Sequence, residues 1–144
     1  MAELLYYRLA KMTLSQFATF ANEVKQDEPI AQNNEIRFLF DREALNMTCQ
    51  MEVVLSQGEQ PLLKAVLETA FVFMPQSIEI LTKEGKTTFS ATILGHLASL
   101  TYSSMRGALH IKAQETALRD YVLPLQNLFE VIKKPYVVEV ENTE

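Results

Sequence analysis

From Asn46 to Gln57 apolar and polar residues alternate: Met47, Cys49, Met51, Val53 and Leu55 interleave with Asn46, Thr48, Gln50, Glu52, Val54 and Ser56. Period two is the spacing of a half-buried strand. Ser56-Gln57-Gly58-Glu59 predicts a turn, because glycine takes positive φ without a steric penalty. From Leu62 to Met74 the alternation resumes as Leu63, Ala65, Leu67, Thr69, Phe71 and Phe73, with Lys64 and Glu68 on the partner face, so the two runs predict a hairpin. Upstream, Ile36, Phe38 and Phe40 alternate with Arg37 and Asp41 after the polar loop Gln32-Asn33-Asn34, which predicts a shorter strand. Leu4 to Leu14 is the fourth candidate, with Leu5, Tyr7 and Leu9 on one side. Both of its sides are partly apolar, a pattern that a helix also meets. None of the early connections is long enough for a crossover helix, so antiparallel pairing is expected.

After Pro75 the spacing becomes helical, apart from Ser77 to Leu81, which fits either element, and a turn at Lys83-Glu84-Gly85-Lys86. Ile93, Leu94, Leu97, Leu100, Met105, Ala108 and Leu109 predict a helix of about six turns, roughly 30 Å long. Ala91, Gly95, Ser99, Ser103 and Gly107 recur every four residues along it. Such a ridge of small residues lets another backbone approach, and each glycine weakens the helix by about 1 kcal/mol unless packing compensates. The ridge is therefore expected at a helix contact, including one across a subunit boundary. Pro124 suits a first helical turn, and Leu125, Leu128, Phe129 and Ile132 form one stripe before Pro135, which predicts a short last helix. Tyr136 to Glu144 reads as an acidic tail prone to fray.

The expected fold class is thus α+β: a four-stranded antiparallel sheet followed by one long and one short helix packed on it. The 144 residues fit a single domain over 1–135 with the tail at 136–144. A chain 48% apolar and 22% charged can offset its conformational entropy by burial. The 13 Lys and Arg against 18 Asp and Glu leave a net charge of −5 without a basic cluster, which argues against nucleic acid. Met1-Ala2-Glu3 lacks the bases of a signal peptide and no run of about 18 apolar residues occurs, so a cytoplasmic location without membrane insertion is expected. The lone Cys49 forms no disulfide framework and reads as a buried thiol.

Candidate chemistry is sparse. His96 and His110 are fourteen residues apart on the predicted helix, about 21 Å along its axis, too far to share a metal. No phosphate loop, metalloprotease motif or calcium loop is present. Ser103-Ser104 and Cys49 announce no base, and Glu52 and Glu68, which share strand parity, read first as solvated acids. No catalytic residue, metal ligand or cofactor is expected. Val54, Leu62, Val66, Ala70, Val72 and Met74, on the hairpin's second face, would form an apolar patch of the kind that marks an interaction surface, an oligomer interface or a binding groove.

Leu97-Ala98-Ser99-Leu100-Thr101-Tyr102 leading to Arg106-Gly107, and Leu123-Pro124-Leu125-Gln126-Asn127 later, resemble the SecB export chaperones, as does the order of elements over about residues 4 to 133. The resemblance implies a homotetramer built as a dimer of dimers, with the small-residue ridge Ala91, Gly95, Ser99, Ser103 and Gly107 at the subunit interface. It also implies an ATP-independent holdase for unfolded or precursor polypeptides, with client grooves that here would use Ile36, Phe38, Phe40, Leu123, Leu125 and Phe129. The alternative is a non-enzymatic interaction or small apolar ligand-binding protein on the same scaffold. Two departures stand out. No Asp or Glu occurs from Leu4 to Asn22, where the family uses acids to dock its translocation motor, which leaves export and other chaperone roles both open. Thr101 stands where a proline before the tyrosine is usual.

Overall fold

The computed structural model describes residues 5–139. Four strands, β1 (Tyr7–Thr19), β2 (Ala31–Asp41), β3 (Asn46–Gln57) and β4 (Gln60–Phe73), form one antiparallel sheet in the order β1-β4-β3-β2. Helix α1 (Pro75–Leu81) comes next, then β5 (Thr82–Lys83) and β6 (Lys86–Phe89), the long helix α2 (Ala91–Lys112), the one-turn helix α3 (Leu128–Val131) and β7 (Tyr136–Glu139). Strands β5, β6 and β7 make a second, small sheet in that order. The expected α+β class and four-stranded antiparallel sheet are both present.

The odd-numbered face of the hairpin is the one that meets the helices. Met47, Cys49, Met51 and Val53 on β3 and Leu63, Ala65, Leu67, Phe71 and Phe73 on β4 are buried, against Leu94, Leu97, Ala98, Tyr102, Met105 and Leu109 of α2. Ser90 starts α2 by accepting a hydrogen bond from the Ile93 N–H, and Lys112 complements the dipole in its last turn. The opposite face differs from the expected apolar patch. Leu62 belongs to the core instead, because a register shift at Leu55/Ser56 turns it inward. Val54 and Val66 lie among Glu52, bonded to Lys64 at 3.1 Å, and Glu35, bonded to Arg37 at 3.0 Å. Charge breaks the patch.

Strand β1 runs five residues beyond the predicted end at Leu14, and Leu4 lies outside the described residues. It carries two bulges, between Leu9 and Lys11 and between Leu14 and Gln16. Each extra residue reverses the parity of the positions after it. Tyr7 and Leu9, then Met12 and Leu14, then Phe17, all share the core face of β4, opposite Phe73, Phe71, Thr69, Leu67 and Ala65. Helix α2 meets Tyr7 through His96 but leaves the middle of the strand open: Leu9 is 43% and Met12 47% exposed.

The segment from Pro75 to Leu81, ambiguous by spacing, is helical, and the Lys83 to Lys86 turn closes a short hairpin with Glu84 at φ 52° and Gly85 at φ 76°. Two consecutive positive φ values are those of a type I′ turn. The first four residues of the expected tail are extended. They form β7, paired antiparallel with β6 from Lys86↔Glu139 to Phe89↔Tyr136, while residues 140–144 lie outside the described residues. No helix among the described residues is long and apolar enough to cross a membrane.

Candidate functional site

The irregular chain between α2 and α3 is fastened over the sheet by polar groups that the sequence places on α2 and β2. The Tyr102 hydroxyl donates to the Pro124 carbonyl at 2.7 Å and Arg106 Nε to the Leu123 carbonyl at 2.9 Å. Tyr102 and Arg106 are four residues apart, hence on one face of the helix. From β2, Gln32 Nε2 donates to the Tyr102 hydroxyl at 3.0 Å and Asn34 Nδ2 to Gln126 Oε1 at 2.8 Å, while the Tyr121 hydroxyl donates to Gln32 Oε1 at 3.2 Å. Burial pushes the Tyr121 phenol above its ordinary pKa, which keeps it protonated as a donor. The two short motifs that carry the family resemblance, Tyr-x-x-x-Arg and Leu-Pro, are therefore in contact.

This fastening shortens the last helix. Leu123 and Pro124 spend their carbonyls on side chains, and the helix begins only after Asn127, whose side chain accepts from the Phe129 N–H at 3.1 Å. Four residues remain helical, Leu128–Val131, in place of a helix from Pro124.

The six expected client-binding residues divide. Ile36 and Phe38 are half-buried and pack, with Leu123 and Leu128, in one core cluster; Phe40 is buried in the other, beside Phe73 and Phe89. Leu123 is buried beneath the crossover. Leu125 and Phe129 face outward at 82% and 46% exposure. The structure thus brings Ile36, Phe38 and Leu123 into one cluster and leaves Leu125 and Phe129 at the surface. Val122 and Val131, 56% and 61% exposed on the same segment, were not singled out by spacing, because both fall outside the stripe of Leu125, Leu128, Phe129 and Ile132.

The five expected interface residues divide as well. Gly95 is buried, and a Cβ there would stand 2.7 Å from the Phe129 ring, so its smallness serves a contact within the chain. Ala91 and Ser99 are half-buried, with the Ser99 hydroxyl donating to the Gly95 carbonyl at 2.7 Å. Ser103 and Gly107 are exposed, and nothing lies within 4 Å of a Cβ built at Gly107. Short of the exposed Lys112 at its last position, the exposed arc of α2 is Thr92, His96, Leu100, Ser103, Gly107, His110 and Ile111. It carries no Asp, Glu, Lys or Arg, whereas the solvent face of a surface helix normally does.

Groups with chemical potential stay apart. Glu52 and Glu68 do not face each other: Val66 stands opposite Glu52 and Gln50 opposite Glu68, and Glu35 is the residue across from Glu52. The hydrogen-bonded Arg37 holds the Glu35 carboxyl below its ordinary range, with a smaller contribution from Glu52. His96 and His110 are both exposed, and the His96 ring lies edge-on to Tyr7 at 6.0 Å. Burial pushes the Cys49 thiol up to about 11, so it stays uncharged. Among the described residues no three His, Cys, Asp or Glu gather as metal ligands. The apolar cleft beneath the crossover, between Leu55, Leu63, Leu109 and Leu123, holds only about 10 Å³.

No protein-family model matches the chain, and no curated protein matches it in sequence. Among solved structures, it is similar to the SecB-like chaperone Rv1957 of Mycobacterium tuberculosis, solved in complex with a ChAD peptide from the HigA1 antitoxin Rv1956. The TM-score is 0.54 and the identity 12%, over 83% of this chain and 90% of that one. A protein of unknown function from Streptococcus agalactiae matches with a TM-score of 0.48 and 12% identity, over 86% of this chain and 99% of that one. The chain therefore has a SecB-like fold, with α1, β5, β6 and β7 around the four-stranded sheet and long helix.

Proposed function

We propose that the protein is an ATP-independent holdase that keeps unfolded or precursor polypeptides from aggregating, acting in the cytoplasm as a homotetramer built as a dimer of dimers, without a cofactor. One observation carries the reading: among the described residues, eight of the thirteen exposed large apolar side chains lie on three tracts. These are the core face of β1 (Leu9, Met12), the uncharged arc of α2 (Leu100, Ile111) and the segment from Val122 to Val131 (Val122, Leu125, Phe129, Val131). Apolar surface gathered in this way marks sites of association. The first two tracts adjoin at Tyr7 and His96 and suit a second copy of the chain. The third suits a client, because an unfolded chain offers apolar segments without fixed shape and a surface of separate aliphatic and aromatic side chains accepts them without fixed sequence. The peptide held by the M. tuberculosis protein agrees with a polypeptide ligand on this scaffold. Strand β1 offers Arg8 and Lys11 and no acid, so we favour clients other than those handed to an export motor.

The alternative, a carrier of a small apolar ligand, finds no room in the apolar cleft beneath the crossover, whose 10 Å³ holds about one water. The roomier hollows, about 370 Å³ beside Val24, Ile30 and Tyr121 and about 760 Å³ beside Leu39 and Val138, are lined in part by Arg119 and Asp120 or by Asp41, Arg42 and Glu43. The purified protein is expected to delay aggregation of a chemically unfolded client without nucleotide at near-stoichiometric ratios. Undiminished light scattering at several-fold excess of the protein would sink the reading. Its solution mass is expected to be four times the 16.4 kDa of the chain. Ser103→Glu, which sets a carboxylate in the middle of the uncharged arc, is expected to lower that mass to a dimer or monomer, since an unpaired charge is costly to bury. An unchanged mass would remove this arc from the interface.

A further inference from the structure

We propose that the segment Leu128–Glu139 is a built-in competitor of clients, a strap seated on part of the client surface and displaced when a client binds. The inference rests on the holdase reading and deepens it. The segment reads Leu-Phe-Glu-Val-Ile-Lys-Lys-Pro-Tyr-Val-Val-Glu, apolar and aromatic residues around a basic joint, which is the chemistry of an unfolded client. It lies on the strand residues that the family resemblance assigns to clients. Ile132 packs against both core clusters, and Tyr136 and Val138 pack on the cluster that holds Phe40 and Phe89, with Ile36 and Phe38 alongside. Phe129 rests on Gly95.

The strap is anchored at its start by Leu128, which is 1% exposed, and held lightly beyond it. Among the described residues strand β7 spans four and pairs along one edge only, with β6. The two further bonds that reach it, Phe40 N–H to the Tyr136 hydroxyl at 3.4 Å and Arg42 to the Glu139 carbonyl at 3.3 Å, lie at the long limit for hydrogen bonds. Tyr136 and Val138 are half-buried, Val137 is exposed, and α3 is a single turn. Between them Lys133, Lys134 and Pro135 are exposed, and the proline offers no N–H. The bed beneath is the reverse: Phe73 and Phe89 are at most 1% exposed. A short, half-buried element on a fully packed bed opens locally far more often than the domain unfolds. Opening uncovers aromatic surface continuous with Ile36 and Phe38, and a client that binds only the open form shifts the population toward it.

Two variants test this. A chain ending at Lys134 lacks β7, and Thr88→Cys with Val137→Cys places a disulfide between residues directly opposite in the β6–β7 register. The truncated chain is expected to bind both a hydrophobic fluorescent dye and an unfolded client several-fold more tightly than the full chain. The oxidised tether is expected to bind client several-fold more weakly, with recovery on reduction. Wild-type client affinity in the oxidised tether overturns the strap, and that arm stands even if the truncated chain fails to fold. If no form binds client, the holdase reading fails separately, and the dye decides: a folded truncated chain without added dye fluorescence overturns the strap on its own.

Discussion

Replacing Thr101 with proline is expected to destabilise the domain by about 3 kcal/mol or more. Thr101 is fully buried in the middle of α2, which runs unbroken from Ala91 to Lys112. Its hydroxyl donates to the Leu97 carbonyl at 2.8 Å and accepts from the Thr69 hydroxyl at 2.6 Å, with the Cys49 carbonyl 3.3 Å from the Thr69 oxygen. The chain thus ties helix to sheet through a pair of buried hydroxyls. Proline would remove the backbone N–H, press its ring on the Leu97 carbonyl and delete the hydroxyl link. For a domain of this length the midpoint of thermal unfolding is expected to fall by roughly 6 to 12 °C. Thr101→Val, which keeps the helix but strips the hydroxyl, is expected to cost less, about 1 to 3 kcal/mol. A proline variant that melts with the wild type would show that α2 tolerates a break at this turn and that the hydroxyl pair contributes nothing.

Thr101 also shows where local pattern was informative. Strands β3 and β4 were legible to within a residue or two because both are central, neither is interrupted along most of its length, and one face of each is buried: alternation is then imposed by the pleat. Strand β1 was legible only in part, because its bulges reverse parity twice and no single alternation joins Tyr7, Leu9, Met12, Leu14 and Phe17. The last helix was over-read for a different reason. Leu125, Leu128, Phe129 and Ile132 have helical spacing, but the carbonyls of Leu123 and Pro124 are held by Arg106 and Tyr102, and that capture cannot be read from the stripe itself.

The site was legible in kind more than in place. Small residues at Gly95 and Gly107 announced close approach without saying of what: Gly95 receives Phe129 from the same chain, thirty-four residues on, and Gly107 meets open space. Strand β7 had the residues of a strand in Tyr136, Val137 and Val138, yet its partner β6 lies some fifty residues upstream, and an acidic terminal stretch with a distant partner gives no local signal of pairing. Non-local contacts of this kind decide whether Ile36, Phe38 and Phe40 form an open groove or a covered bed.

Phe89→Ala is expected to have the other large effect, about 3 to 5 kcal/mol of lost stability and a fall of roughly 6 to 20 °C in the unfolding midpoint. Phe89 is the last residue of β6, immediately before the Ser90 cap of α2, and it is fully buried. Its ring centroid lies 4.8 Å from that of Phe40, 5.4 Å from Phe73 and 6.3 Å from Tyr136. One side chain therefore joins the main sheet, the small sheet and the start of the long helix, and truncation leaves a cavity that three separate elements would have to move to fill. Because the cavity opens under Tyr136, amide hydrogen exchange in residues 86–89 and 136–139 is expected to accelerate more than in β3, whose residues pair with β2 and β4 along nearly their whole length. Leu39→Ala, one residue from Phe40 but 69% exposed on the opposite face, is expected to change stability by no more than about 0.5 kcal/mol. Equal losses from the two substitutions, or exchange that rises uniformly across both sheets, would mean that the aromatic cluster is not the joint between them.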